Sequence, residues 1–184
     1  MRRVRWLLIG VVALALAGAV AAVVTIQPKL NDARDRVDLG WTPLREPLDA
    51  RYDALSVIAT ALHDAGAGER AVTTALDDAL ARWSKLALRG PEHTDVTLEV
   101  KTANELEALA RRVDANINAS DRLRANDAIK AAQLAFPQAV VSVPTIAAYN
   151  RAVRAYEDER SGTINRLVAG AMGFEARPLL VVGV

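Results

Sequence analysis

The 184-residue sequence has no cysteine and only two histidines, and aromatic residues make up 4% of it. Without thiols there is no disulfide, no zinc–thiolate centre and no cysteine nucleophile. The histidines fall in separate hydrophilic stretches, His63-Asp64 and Glu92-His93-Thr94-Asp95. A metal site needs three or four converging ligands, usually from short repeats such as His-x-x-x-His, so solvated loop residues are the better account of both. There is no Gly-x-Ser-x-Gly, no glycine-rich phosphate loop and no pair of acids in an apolar setting. The expectation is a protein without catalytic residues, metal or cofactor, and not an enzyme. Charge of one sign is lacking too. Setting aside Arg2, Arg3 and Arg5 leaves 20 basic residues against 22 acidic, a net of about −2. Such a body lacks the clustered basic face that nucleic acid requires. Strand-favouring runs are scarce and alanine is abundant, so the chain reads as all-α.

What is present begins with an uncharged apolar run, Trp6 to Ile26. As a helix its 21 residues span about 32 Å, enough for a bilayer's hydrocarbon core of about 30 Å. The arginines before it, with no acid nearby, place the N-terminus in the cytoplasm and the body outside by the positive-inside rule. The expected division is a basic start at 1–5, a transmembrane helix at 6–26, a linker at 27–29, a helical bundle at 30–176 and a tail at 177–184. Cleavage as a signal peptide is the competing reading. Ala17-Gly18-Ala19 and Ala19-Val20-Ala21 have the small-x-small form, but they sit inside an apolar run longer than a usual signal core. The small residues of the run leave self-association through this helix open.

From Leu30 onward apolar residues recur at three- and four-residue steps: Leu30, Ala33, Val37, Trp41, Leu44, Leu48, Leu55, Ile58 and Leu62. This predicts one long helix packed on its neighbours and kinked near Gly40, with Thr42 as N-cap, Pro43 at the first helical position and Pro47 bending the helix. Asp64–Gly68 reads as a turn. A second helix is expected over 69–88 with Val72, Leu76, Leu80, Trp83 and Ala87 as its stripe, stopped by Arg89-Gly90-Pro91. Residues 91–101 read as a loop, with Val96, Leu98 and Val100 extended. Thr102-Ala103-Asn104-Glu105 fits a capping box opening a third helix, whose stripe is Leu106, Leu109, Val113 and Ile117 and which continues toward Ala135. Phe136-Pro137 and Val143-Pro144 bracket a break. A fourth helix carries Ile146, Tyr149, Val153 and Tyr156. Thr163 caps a short last helix that Gly173 terminates.

Two stretches are similar to a known family. Val37-Asp38-Leu39-Gly40-Trp41, followed by Leu48-x-x-Arg51-x-Asp53-x-Leu55-x-x-Ile58, resembles the first exported helix of the LemA family. Ala148-Tyr149-Asn150-Arg151-Ala152-Val153-x-x-Tyr156, with Leu167-Val168-Ala169-Gly170-x-x-Gly173-Phe174, resembles its closing segment. Ser56 stands where the family usually has proline and Glu157 where it has asparagine, and Pro137 and Pro144 interrupt what is commonly continuous helix. The resemblance implies a bacterial, membrane-anchored antiparallel bundle of about four helices, built on long twisted hairpins, plus a short C-terminal helix. It implies no enzymatic activity.

The residues singled out as an interaction or structural motif are Trp41, Arg51, Asp53, Tyr149, Asn150, Val153 and Tyr156. Tyr149, Val153 and Tyr156 share a helical face, as core packing requires. Asn150 is placed to bond a neighbouring helix or the kinked backbone near Pro43, and Arg51 and Asp53 each read as half of an inter-helix ion pair or, the better account, as part of a solvated face. Two functional readings follow. One is an interaction or scaffold module binding other envelope proteins, with the bilayer and a second copy as further partners. The other is a sensor holding a small ligand where Trp41, Trp83 and the tyrosines converge.

Overall fold

The computed structural model describes the backbone of residues 2–88 and 95–183, with side chains from Val20 onward. Helix α1 spans Arg2–Trp41 and contains Pro28. No linker forms at 27–29. A proline inside a helix removes one hydrogen bond to the residue four before it, here Val24. Most of the expected membrane run, residues 6–19, lies outside the residues whose side chains are described. Among the described residues no single helix is long and apolar enough to cross a membrane.

The kink near Pro43 is present. α1 gives way to a 3-10 turn, Thr42–Leu44, and the chain resumes as α2, Arg45–Asp64. Two details differ from the expectation. Thr42 does not cap; its hydroxyl donates back to the Asp38 carbonyl at 3.3 Å. Pro47 is not deep in a helix, because α2 restarts at Arg45 and puts it in the first turn, where an N–H has no intrahelical partner to lose.

The chain forms two compact units. One comprises α1 up to Val37 together with residues 151–177, which are the second half of α7 (Val143–Ser161) and all of α8 (Thr163–Ala171). Leu30, Ala33 and Val37 are buried there, as are Val153, Tyr156, Val168 and Phe174. Gly162, not Thr163, occupies the N-cap of α8. Gly173 has φ +72°, a conformation that stops the helix and favours glycine.

The other unit holds residues 38–150 and 178–184. Its helices are α2, α3 (Ala71–Ala87), α4 (Val96–Asn118), the single turn α5 (Asp121–Arg124), α6 (Asp127–Ala135) and the opening of α7. The Asp64–Gly68 turn closes through Gly66 at φ +67°, and α3 returns antiparallel to α2. His63 meets Asp77 at one end of the pair, and Trp83 Nε1 donates to Asp49 at 2.7 Å near the other. α4 runs back along α3, with Arg82 on Glu105 and Arg70 on Asn116. In α3 the buried face is Thr73, Leu76, Ala79, Trp83 and Leu86, so Val72 and Leu80 are only half-buried and Ala87 is exposed.

α4 starts seven residues earlier than the capping box implied. Asp95 is the N-cap and accepts the Leu98 N–H at 3.1 Å, which makes Val96, Leu98 and Val100 helical and not extended. Thr102 is interior, donating to the Leu98 carbonyl. The stripe Leu106, Leu109, Val113 and Ile117 is buried as expected. Continuation to Ala135 is broken twice, and Asn126 re-caps the chain for α6 by accepting from Ile129 N at 3.1 Å. Arg89–Gly90–Pro91 lies outside the described residues.

Asp95→Ala removes the cap of α4 and should lower unfolding free energy by about 1 kcal/mol. Leu106→Ala, at a fully buried position, should cost about 2–5 kcal/mol. Denaturant unfolding of both variants checks the assignment, and a silent Asp95→Ala with a damaging Thr102→Ala would contradict this start.

Candidate functional site

The buried charges of the second unit lie on helix faces that otherwise read as core. From Leu44 at the end of the 3-10 turn into α2, Leu44, Leu48, Arg51, Leu55, Ile58 and Leu62 follow one four-three repeat, and all are buried, Arg51 at 6% exposure. In α4, Glu99 and Glu107 interrupt the face made by Val96, Val100, Ala103, Leu106 and Ala110, at 4% and 1% exposure. A charge so placed is destabilising unless paired and hydrogen-bonded. Each is.

Arg51 Nε and Nη2 grip the two Glu107 carboxylate oxygens at 2.6 and 3.1 Å, a two-pronged pair. Two of its remaining donors go to main-chain carbonyls, Nη1 to Ala139 and Nη2 to Gly183, both at 3.3 Å. The Phe136 ring lies 4.1 Å from the guanidinium carbon, within cation–π range. Eight residues before Glu107, Glu99 accepts from Trp41 Nε1 and from Arg45 Nε, the latter at 3.0 Å. Burial holds the Glu99 pKa above its ordinary 4.5, against the opposing pull of Trp41 and Arg45.

These groups border the segment 178–183, which crosses the unit in extended form. An extended chain points the N–H and C=O of one residue to one side, and the flanking C=O and N–H to the other. Both sides are read by side chains. On the α7 side, Tyr149 Oη donates to the Pro178 carbonyl at 2.9 Å, while Asn150 donates to the Leu180 carbonyl and accepts the Leu180 N–H, both at 2.9 Å. On the α4 side, Asn104 donates to the Leu179 carbonyl and accepts the Val181 N–H, both at 2.8 Å. One turn further, Glu107 accepts the Gly183 N–H at 2.9 Å. Leu180 alone among the segment's side chains is fully buried, whereas Leu179 and Val181 are 39% and 59% exposed. The arrangement holds an extended polypeptide by its backbone.

Of the residues singled out from the sequence, Trp41, Arg51, Tyr149 and Asn150 gather here. The Trp41 and Tyr149 rings pack at 5.3 Å. Arg51 makes an inter-helix ion pair, with Glu107 of α4, whereas Asp53 lies on the solvated face of α2. Asn150 bonds Leu180, not the backbone near Pro43. Val153 and Tyr156 belong to the other unit, where Tyr156 Oη donates to the Glu175 carbonyl at 2.9 Å. The aromatic residues do not converge on one ligand site. Trp41 stacks with Tyr149, and Trp83 packs edge-on to Tyr52 at 4.8 Å. An open dent of about 330 Å³ in the first unit is lined by Lys29, Asp32, Arg36 and Glu159 among small alanines, with both signs of charge interspersed. Among the described residues no group of histidines and acids is arranged to hold a metal. Glu92 and His93 lie outside those residues. Glu99, Asn104 and Glu107 escaped the sequence reading, although acids on an apolar helical face were a visible signal for two of them. No protein-family model, curated protein or solved structure matches this chain.

Two measurements probe the site. Glu107→Ala leaves Arg51 buried and unpaired and should cost about 3–5 kcal/mol, whereas Arg51→Met with Glu107→Leu should recover the larger part. Equal losses in single and double variants would contradict this. The second concerns pH. A raised Glu99 pKa means the folded state holds the proton more tightly than the unfolded one. Its contribution is therefore complete below 4.5 and is lost as pH rises through the folded-state value. The stability advantage of the native chain over Glu99→Gln should be greatest at about pH 4 and shrink as the pH is raised in thermal melts. A difference that grows instead overturns the assignment.

Proposed function

We propose that this is a single-pass membrane protein resembling the LemA family, whose helical body lies outside the cytoplasm and serves as a non-enzymatic interaction or scaffold module of the cell envelope. The apolar run 6–26 behind three arginines supports the anchor and its orientation. The observation that carries the module reading is where the buried polar groups are spent. Arg51, Glu107 and Asn150 are turned onto polypeptide backbone, in a geometry suited to holding chain. Tyr149 and Asn150, the most specific part of the family resemblance, are two of these groups.

Carbonate extraction with intact-mass measurement tests the anchor. Full-length mass in the membrane pellet is expected; a shortened soluble product beginning near Val20 would overturn it. Crosslinking in native membranes followed by pull-down tests the module, with a reproducible envelope-protein partner expected and no such partner counting against it.

A further inference from the structure

We propose that the groove between α4 and the start of α7 is a binding site for an extended apolar segment of a partner protein, and that residues 178–183 occupy it in cis as a displaceable stand-in. The inference rests on the interaction-module reading and names its ligand class.

The groove's chemistry is that of a receptor for main chain. Asn150 makes the pair of bonds that an antiparallel neighbour would make to a single residue. Asn104 makes the pair that a parallel neighbour makes to the flanking residues. Two asparagines thus replace two strands, and Tyr149 and the Arg51–Glu107 pair extend the reading at either end. Helix-borne side chains are doing what a sheet edge does when it accepts an added strand. Since backbone carries most of the recognition and only Leu180 is buried, the requirement on a ligand is small: an extended segment with one medium apolar side chain at its centre.

The tether argues against a second copy as the occupant. An identical segment makes identical contacts, and the attached one enjoys an effective concentration on the order of mM. A free copy loses that contest below mM concentration. A partner's segment wins by adding contacts beyond the six positions that the cis segment fills.

The test uses the full chain carrying Leu180→Asp, which weakens the cis occupant and leaves the groove's side chains intact. The probe is a fluorescein-labelled peptide with the sequence of residues 177–184. It should bind this variant at least roughly tenfold more tightly than the native chain, and lose roughly tenfold when Asn104→Ala and Asn150→Ala are added. N-methylation of the peptide at the position of Val181 should weaken it similarly, because that N–H is the one given to Asn104. A folded variant that binds no peptide up to about 1 mM overturns the proposal. Should the variant fail to fold, amide exchange of Val181 and Gly183 in the native chain decides. Faster exchange with unlabelled peptide at roughly 10 mM, above the tether's effective concentration, supports displacement, and unchanged exchange there overturns it. A dimer with exchanged segments would assign the groove to a second copy and overturn a partner's segment as occupant. The two readings fail separately: peptide binding without a crosslinked partner sinks the module, and a crosslinked partner without peptide binding sinks the groove.

Discussion

A guanidinium and a carboxylate taken out of water each lose several kcal/mol of hydration, and their mutual attraction repays it only if every other donor and acceptor is also filled. Arg51 and Glu107 approach that condition, with four of the five guanidinium N–H groups bonded, with help from elsewhere in the chain. The pair bonds itself twice, but Arg51 still needs the carbonyls of Ala139 and Gly183. The second Glu107 oxygen also accepts the Gly183 N–H. Four separate pieces of sequence therefore close one buried electrostatic site: α2, α4, the turn after α6 and the segment 178–183. Remove any one and a buried charge is left short of partners. That couples the order of the extended segment to the packing of the helices beneath it.

Glu99 works by the same rule nearer the start of α4. Its carboxylate answers the Trp41 indole, which has no exposure and hence no water to bond. The end of α1 is thereby fixed to α4. The rise in Glu99's pKa is the cost of that burial, only partly offset by Arg45. Both acids stand where an apolar residue would pack without such a cost, and each ties α4 to a neighbouring helix through side-chain bonds.

Much of the bundle was legible in sequence because helical periodicity reports burial directly. The stripe of α2 and the stripe Leu106, Leu109, Val113 and Ile117 are buried as read, and the break at Pro43 and the Gly66 and Gly173 stops fall where turn chemistry puts them. Starts were less legible, for a physical reason. Thr102 and Glu105 have the residue types and spacing of a capping box, yet a helix begins wherever the first orphan N–H groups are met, and Asp95 meets them first. Thr42 and Thr163 failed as caps similarly, each one position away from a turn that formed without a side-chain oxygen.

The clamp was the least legible part, because its partners are backbone atoms. Periodicity shows which side chains face inward and says nothing of which main chain will lie across them. Asn104 and Glu107 are three residues apart on one helix, a spacing common to countless solvated faces. Their meaning depends on an extended segment more than seventy residues later in the chain. What that segment offered was itself unhelpful: Pro-Leu-Leu-Val-Val-Gly has no helical period, no charge and no turn pair. Yet this blandness suits the role it plays. A helix would have satisfied its own N–H and C=O groups and offered none to a neighbour, whereas an extended apolar stretch brings every backbone group unpaired. The asparagines of α4 and α7 supply those missing partners, so an all-helical protein recognises a strand without containing a sheet among its described residues.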